Sequence, residues 1–288
     1  MNAALWGALA ALAFGVADFI GRFTGRALGP RNAMLGLMLV GAVLLSLHGA
    51  VAGMPMVWDA GTLPMLLVAA VAAALGPLAL YVSLTLGPIS LVAPVCAAYP
   101  ALVVPVEVML GAQPGAVAWA AMAVTLAGAV VVARTAGEDP DARIAADPRN
   151  RNRAIAAAAL SGVFFAVALL AGRQAVAAYG EVQTLWFGRV IGVVCIAALM
   201  AAARQPPSVP VRWWPLILLQ GIVDAAGYLF FYIGSTGDGG PVAAVAMSAF
   251  MVVGVLLGWI VLRERIGAAC WCGIGLVFAG VAALSASA

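Results

Sequence analysis

Charged residues are scarce in this chain, and lysine is missing altogether. Only 9% of the 288 residues are charged, all 14 basic residues are arginine, and His48 is the one histidine. Soluble domains carry about a quarter charged residues. The scarcity excludes a basic surface for nucleic acid, and one histidine does not make a metal site by itself.

Motifs that carry catalysis or cofactor binding are also missing. The sequence has no H-E-x-x-H, G-x-S-x-G or P-loop pattern. Its four cysteines lie in apolar segments without zinc or redox spacing, and we interpret them as small core residues. An intramembrane enzyme would need such groups, so we expect neither enzymatic activity nor a cofactor.

Long apolar stretches fill the chain instead. Hydrophobic residues make up 65% of it, and the mean hydropathy is +1.12. A bilayer is crossed by about 20 apolar residues, so the pattern predicts an all-α, polytopic membrane protein. The first stretch contains Asp18 and lacks a signal-peptide cleavage site, so it is expected to be a helix. The ten predicted spans are 3–22, 32–52, 63–86, 88–110, 115–134, 154–177, 182–203, 212–235, 240–262 and 266–286.

The chain repeats itself at an almost constant offset. The motif G-A-x-x-W occurs at 115–119 and at 267–271, and an Ala-Gly pair follows at the same distance in both copies. This predicts a first five-helix repeat at 1–134, a polar linker at 135–153 and a second repeat at 154–288. Pairs offset by 151 residues include Phe14 with Phe165, Gly21 with Gly172, Arg22 with Arg173, Gly76 with Gly227, and Tyr81 with Tyr232.

An odd number of helices makes the two repeats inverted. The second copy must enter the membrane from the opposite side, which is typical of secondary transporters with a midplane site between the repeats. A channel fits this pattern less well, and a purely structural membrane protein would not need charges inside its spans.

Arginine placement predicts the orientation. All arginines except Arg173 and Arg189 fall toward the side of the membrane that holds the linker. The positive-inside rule therefore places the linker in the cytoplasm and both termini outside, in a bacterial inner membrane.

The duplication and the G-A-x-x-W ending of each half resemble the EamA-type carriers of the drug/metabolite transporter superfamily, over almost the whole chain. The turn Arg263-Glu264-Arg265 is similar to the turn of these repeats, whereas the first half has 111–114, Gly-Ala-Gln-Pro, there. The resemblance implies export of a small metabolite by alternating access, with the lipid bilayer and a small-molecule substrate as partners. We expect a monomer or a weak homo-oligomer.

Four ionisable residues inside spans are candidates for coupling or structural charge, because charges in a bilayer are costly. Asp18 lies one turn from Arg22, so we expect the two to pair and reach the interface near the end of the helix. Glu107 and Arg189 lie at similar depth, which makes a pair possible. Asp224, midway along its span, fits a substrate or proton site and a structural carboxylate equally well.

Polar and aromatic side chains in the spans complete the predicted substrate site. Four prolines in the fourth span, at 88, 94, 100 and 105, predict kinks beside a cavity. A cavity with rings and a carboxylate would suit an amino acid or an amphipathic cation, so amino-acid export and multidrug efflux both stay open. The substrate-binding candidates are Tyr81, Tyr99, Trp186, Asp224, Tyr228, Tyr232 and Ser248.

Overall fold

The computed structural model describes residues 2–53, 56–86, 92, 95–96, 99–135, 148–236, 239–262 and 267–287, and these residues form helices, turns and loops. The helices are α1 (Ala3–Leu28), α2 (Pro30–Ala52), α3 (Leu63–Leu86), α4 (Pro100–Met109), α5 (Ala116–Thr135), α6 (Pro148–Tyr179), α7 (Glu181–Ala202), α8 (Trp214–Gly234), α9 (Gly240–Met247), α10 (Phe250–Leu262) and α11 (Ala268–Ser287). A 3₁₀ turn at Val211–Trp213 precedes α8.

The helices account for the predicted spans. Seven stretches are long and apolar enough to cross a membrane, and α5 and α11 are slightly shorter apolar helices. Helices α9 and α10 are two parts of the ninth span, separated by a turn at 248–249. Helix α4 is the end of the fourth span, whose Pro88 and Pro94 lie outside the described residues, as does the turn at Glu264. The predicted all-α fold of two inverted five-helix repeats is confirmed.

Two helix boundaries differ from the prediction. Helix α1 continues six residues beyond the predicted end at 22, and α6 begins at Pro148, inside the predicted linker. Proline suits the first turn of a helix because its fixed φ is helical and its missing N–H would have no partner there. Arginine is a good helix former, which lets the polar residues 149–153 extend α6.

The two halves pack through contacts that occur twice. A Cβ on Gly227 would lie 3.0 Å from the ring of Phe14, and one on Gly76 would lie 3.5 Å from the ring of Phe165. These two contacts exchange under the repeat offset. Helix α1 therefore meets α8 as α6 meets α3, and a pseudo-two-fold axis relates the halves.

The repeated Ala-Gly pair marks a second crossing of this kind. A Cβ on Gly128 would lie 2.7 Å from the backbone nitrogen of Val277, and one on Gly280 would lie 2.8 Å from that of Thr125. Only glycine allows α5 and α11 to approach this closely. The duplicated motif in the sequence is thus the contact point of two helices from opposite halves.

Candidate functional site

A small cavity lies at the centre of the bundle, between α1, α3, α6, α8 and the paired helices α9 and α10. Its volume of about 30 Å³ is the space of about two water molecules. We call it the central cavity. It is lined by Phe14, Asp18, Pro77, Tyr99, Phe165, Leu169, Asp224, Tyr228, Met247 and Phe250.

Most of the lining comes in pairs related by the repeat offset, so the cavity lies on the pseudo-two-fold axis. Where one partner of a pair is polar, its mate is apolar, because the two halves differ at these positions. The scaffold of the cavity is therefore symmetric, and its chemistry is not. The pairs are Phe14 with Phe165, Asp18 with Leu169, Pro77 with Tyr228, and Tyr99 with Phe250.

A buried ion pair stands beside this cavity. Nη2 of Arg189 lies 2.5 Å from Oδ2 of Asp224, and the residues are only 2% and 6% exposed. The guanidinium also contacts the sulfur of Met38 at 3.6 Å and lies 5.1 Å from the centre of the Tyr228 ring. Met38 is the repeat mate of Arg189 itself, so this charge stands where the two halves meet.

The expected pair of Glu107 with Arg189 is wrong. Glu107 instead forms an ion pair with Arg173, and Arg189 pairs with Asp224. Helix α7 packs against α2, α3, α6 and α8, whereas α4 packs against α6 and α9, so among the described helices the two share only α6 as a neighbour. Similar depth in the membrane therefore does not bring α4 and α7 together.

The expected position of Asp18 is also wrong. It lines the central cavity together with Asp224, and it does not lie at the interface. Because α1 ends at Leu28, Asp18 lies about 15 Å before the helix end. The antiparallel packing of α1 on α8 brings the two carboxylates to the same depth.

Two polar groups near the cavity have no protein partner. Among the described residues, the hydroxyl of Tyr228 has no hydrogen-bond partner, and no group accepts a hydrogen bond from Nε of Arg189. Both atoms are buried. Buried polar groups are normally satisfied, and each exception requires an explanation. These donors fit a ligand that brings its own acceptor. Within the described residues, no group of three or more His, Cys, Asp or Glu side chains is placed to hold a metal ion.

The remaining predicted site residues divide between the cavity and its surroundings. Tyr99 donates to the carbonyl of Ala244 at 2.9 Å and presents its ring to the cavity. Tyr232 lines an adjacent cavity of about 10 Å³ that also contacts Arg189 and Tyr228. Ser248 donates to the carbonyl of Val245 at 2.6 Å, so its hydroxyl is used within its own chain segment.

Tyr81 and Trp186 lie away from the central cavity. The Tyr81 hydroxyl accepts a hydrogen bond from Nε2 of Gln220 at 2.5 Å, toward the membrane side that holds the linker. We call this the linker side and the opposite one the termini side. Trp186 donates to Oγ of Ser46 at 2.8 Å on the termini side.

Two larger cavities lie at the termini-side ends of the helices. One, of about 450 Å³, lies between α2, α6 and α7 and is lined by Trp186 and Gln183. The other, of about 390 Å³, lies between α4, α6 and α8 and contains the Glu107–Arg173 pair and Tyr232. We call the second one the α4–α8 vestibule.

Sequence reasoning missed Thr24 and Gln220, which are fully buried, and the partner of Glu107. A signal was available for the first two, because a polar residue inside an apolar span is expected to bond to a neighbouring helix. The proline inside α3 was missed as well. Pro77 lies within the continuous helix α3 and removes the helical bond to the carbonyl of Ala73, which lines the adjacent cavity.

An inverted-repeat bundle of apolar helices, with a mainly apolar cavity that holds two carboxylates on its axis, defines a carrier-type integral membrane protein. The EamA-like transporter family matches the chain at residues 1–134 and 152–286. The chain therefore belongs to this family and is a membrane transporter of small compounds.

Solved structures share the fold. One of 26 matching chains, from a crystal structure, superposes with a TM-score of 0.78 and 20% sequence identity, over 98% of this chain and 95% of its own. At this identity the likeness shows the fold alone. No curated protein matches the sequence.

Proposed function

We propose that the protein exports small metabolites, first among them amino acids with aromatic or other hydrophobic side chains, by alternating access across a bacterial inner membrane. The central cavity carries the proposal, because it combines two carboxylates and several rings on the pseudo-two-fold axis, and Arg189 pairs with one of these carboxylates from beside it. At about 30 Å³ the cavity is too small for an amino acid, so a cargo must enter through an open state.

The groups around the cavity match the parts of an amino acid. The unpartnered N–H of Arg189 and the hydroxyl of Tyr228 would bind the cargo's carboxylate, and Asp18 would bind its ammonium group. Phe14 and Tyr228, which form an edge-to-face pair 5.0 Å apart, would pack against an aromatic side chain. Tyr99 and Tyr232 would complete this wall from neighbouring helices.

The charges around the cavity do not balance. Asp18 and Asp224 bring two negative charges, and Arg189 brings one positive charge. An uncompensated charge is costly at this depth, so the site must also bind a proton or a cationic group. We assign that role to Asp18, because Asp224 already contacts Arg189. Transport would then be coupled to proton movement.

Arginine placement supports the orientation that this proposal uses. With the linker in the cytoplasm, both termini and the α4–α8 vestibule face the outside, and cargo would leave through that side.

The test is uptake of a panel of labelled amino acids into proteoliposomes, with and without a pH gradient. We expect saturable transport of aromatic amino acids by the wild-type protein and none by Asp224→Asn. This variant removes the counter-charge of Arg189 and one of the two carboxylates of the cavity. The matched control is Asp59→Asn, since Asp59 is an exposed acid in the loop before α3. It should transport as the wild type does. Failure of every amino acid to be transported would contradict the substrate assignment.

Multidrug or toxic-compound efflux is the second candidate, and the net negative charge of the cavity favours it. A lipophilic monocation would neutralise Asp18 directly and stack on the rings. Competition separates the two functions. Inhibition by many unrelated lipophilic cations, without competition among amino acids, would favour efflux of toxic compounds.

A further inference from the structure

Three buried polar side chains form a hydrogen-bonded chain on the linker side. Oγ1 of Thr24 donates to Oε1 of Gln220 at 3.0 Å, and Nε2 of Gln220 donates to the hydroxyl of Tyr81 at 2.5 Å. Thr24 and Gln220 are fully buried, and Tyr81 is 3% exposed. We call these three residues the linker-side clamp. It joins α1 and α3 of the first half to α8 of the second.

The clamp lies directly below the central cavity. On α8, Gln220 is one helical turn closer to the linker side than Asp224, and on α3, Tyr81 is one turn closer than Pro77. On α1, Thr24 likewise follows Asp18 toward the linker side. On these three helices the clamp therefore lies between the cavity and that side. Gly21 makes room for it, because a Cβ there would overlap the Tyr81 hydroxyl.

The symmetry-related positions on the termini side lack a clamp. The repeat mates of Thr24, Gln220 and Tyr81 are Ala175, Ala69 and Tyr232. Alanine has no hydrogen-bonding side-chain group. Only the tyrosine is kept, and it lies between the adjacent 10 Å³ cavity and the α4–α8 vestibule.

A different contact crosses the halves on the termini side. Glu107 of α4 pairs with Arg173 of α6, and the Arg173 side chain is 19% exposed beside the vestibule of about 390 Å³. Glu107 is buried, but water in the vestibule can reach Arg173, which partly screens the pair and can hydrate its charges as it opens. The clamp groups are more deeply buried, so their hydrogen bonds must break before water reaches them.

We propose that the linker-side clamp is a gate, and that it biases the resting protein toward the state that opens to the termini side. If the two halves of an inverted repeat were identical, the two open states would have equal free energy. The clamp stabilises closure on one side only, so it removes this equality. Gln220 is the positioning residue of the gate, because it alone bonds to both other members. The inference does not depend on the identity of the cargo.

The test measures from which side the central cavity can be reached. A cysteine-free background carries Leu169→Cys as a cavity reporter, and Ser208→Cys, between α7 and α8, marks the linker side of oriented vesicles. A membrane-impermeant maleimide is applied to each side in turn. We expect the reporter to react faster from the termini side, and Gln220→Leu or Thr24→Val to raise the rate from the linker side about two- to tenfold.

Matched variants separate a gate from a packing defect. Thr24→Ser keeps the hydroxyl and should behave as the parent, as should Thr125→Val, which removes a buried threonine hydroxyl bonded within α5. The double variant Ala69→Gln/Ala175→Thr installs the clamp on the termini side and should slow labelling from there by a similar factor.

Three results would overturn the proposal. These are equal labelling of the parent from both sides, unchanged linker-side labelling in Gln220→Leu and Thr24→Val, and unchanged termini-side labelling in the installed clamp. If Gln220→Leu does not fold, Thr24→Val and the installed clamp decide the question.

Discussion

At the residue scale, Arg189 and Asp224 form a buried pair where the first half carries Met38 and Ala73. A buried pair contributes little net stability, but removing one partner leaves an uncompensated charge, which costs about 3–5 kcal/mol. The positions of Met38 and Ala73 show that the same scaffold accommodates apolar side chains there. The pair is therefore explained by its chemistry and not by packing.

This predicts a large loss of stability for one substitution and a small loss for two. Arg189→Met should lower the free energy of unfolding by about 3–5 kcal/mol, because Asp224 is left buried without a counter-charge. Arg189→Met/Asp224→Ala copies the first half and should recover most of the loss. Unfolding in detergent by denaturant or heat measures both. Equal destabilisation by the single and the double variant would contradict the explanation.

Part of the site could be predicted from the sequence at this scale. Asp224 followed from the cost of charge in a bilayer, Tyr99 from the prolines of the fourth span, and Tyr228 from its spacing to Asp224. The structure places all three at the central cavity. The pairing of Arg189 could not be predicted, because it depends on which helices are neighbours. The predicted depth of Asp18 was wrong because it depends on where α1 ends. Helix ends are set by caps and packing, which a sequence pattern predicts poorly.

At the element scale, the crossing of α5 and α11 depends on glycines that face a backbone. A Cβ on Gly273 would lie 2.8 Å from the backbone nitrogen of Val132 and 2.9 Å from a Val131 methyl. Gly275 lies two residues further along α11, is exposed, and has open space around its Cβ position. The two glycines are therefore a matched pair in one helix.

Valine at these two positions should have unequal effects. Gly273→Val should cost about 1–3 kcal/mol, because the backbones of α5 and α11 must separate. Gly275→Val should be nearly neutral. Thermal unfolding of the two variants in detergent makes the comparison. A loss of similar size at both positions would mean that backbone flexibility, and not close helix contact, explains the glycines.

The loop between α2 and α3 is held in place by its own polar groups. Oδ2 of Asp59 accepts from Oγ1 of Thr62 at 2.6 Å and Oδ1 accepts from the Gly61 backbone at 3.0 Å. Gln183 bonds to both the N–H and the carbonyl of Val57. The Thr62 and Gly61 hydrogen bonds lower the pKa of Asp59 below its ordinary value of 3.8.

A lowered pKa predicts how the loop responds to acid. The stabilising effect of ionised Asp59 is fully present above about pH 4 and is lost as the pH falls through the lower value in the folded state. Trp58, whose ring lies 5.5 Å from that of Phe187, reports on the loop. The fluorescence difference between the wild-type protein and Trp58→Phe should change in this acid range. Asp59→Asn should abolish the change, and a change that persists in Asp59→Asn would contradict the assignment.

At the scale of the whole molecule, a symmetric scaffold carries an asymmetric site. The contacts of Phe14 with Gly227 and of Phe165 with Gly76 exchange under the repeat offset, and so do the contacts of α5 with α11. Against this background, every charge at the cavity has an apolar mate. Symmetry accounts for the fold and for two related open states. In the proposals made above, asymmetry accounts for cargo binding and for a preferred resting state.

The fold was more predictable than the site for a physical reason. The duplication shows in the sequence because close helix contacts require the same small or aromatic residue in both halves. The partners of these residues do not show, because an offset reveals which positions are equivalent and not which are in contact. The contacts between the halves could not be predicted from the sequence. The cavity, the clamp and the ion pairs are made of these contacts, so they could not be predicted either.

The most direct test of the central claim is amino-acid transport by Arg189→Met/Asp224→Ala in proteoliposomes. The account predicts a folded protein of near-normal stability that does not transport, since the scaffold is kept and the asymmetric charges are removed. Transport at the wild-type rate by this variant would contradict the claim that these charges form the cargo site.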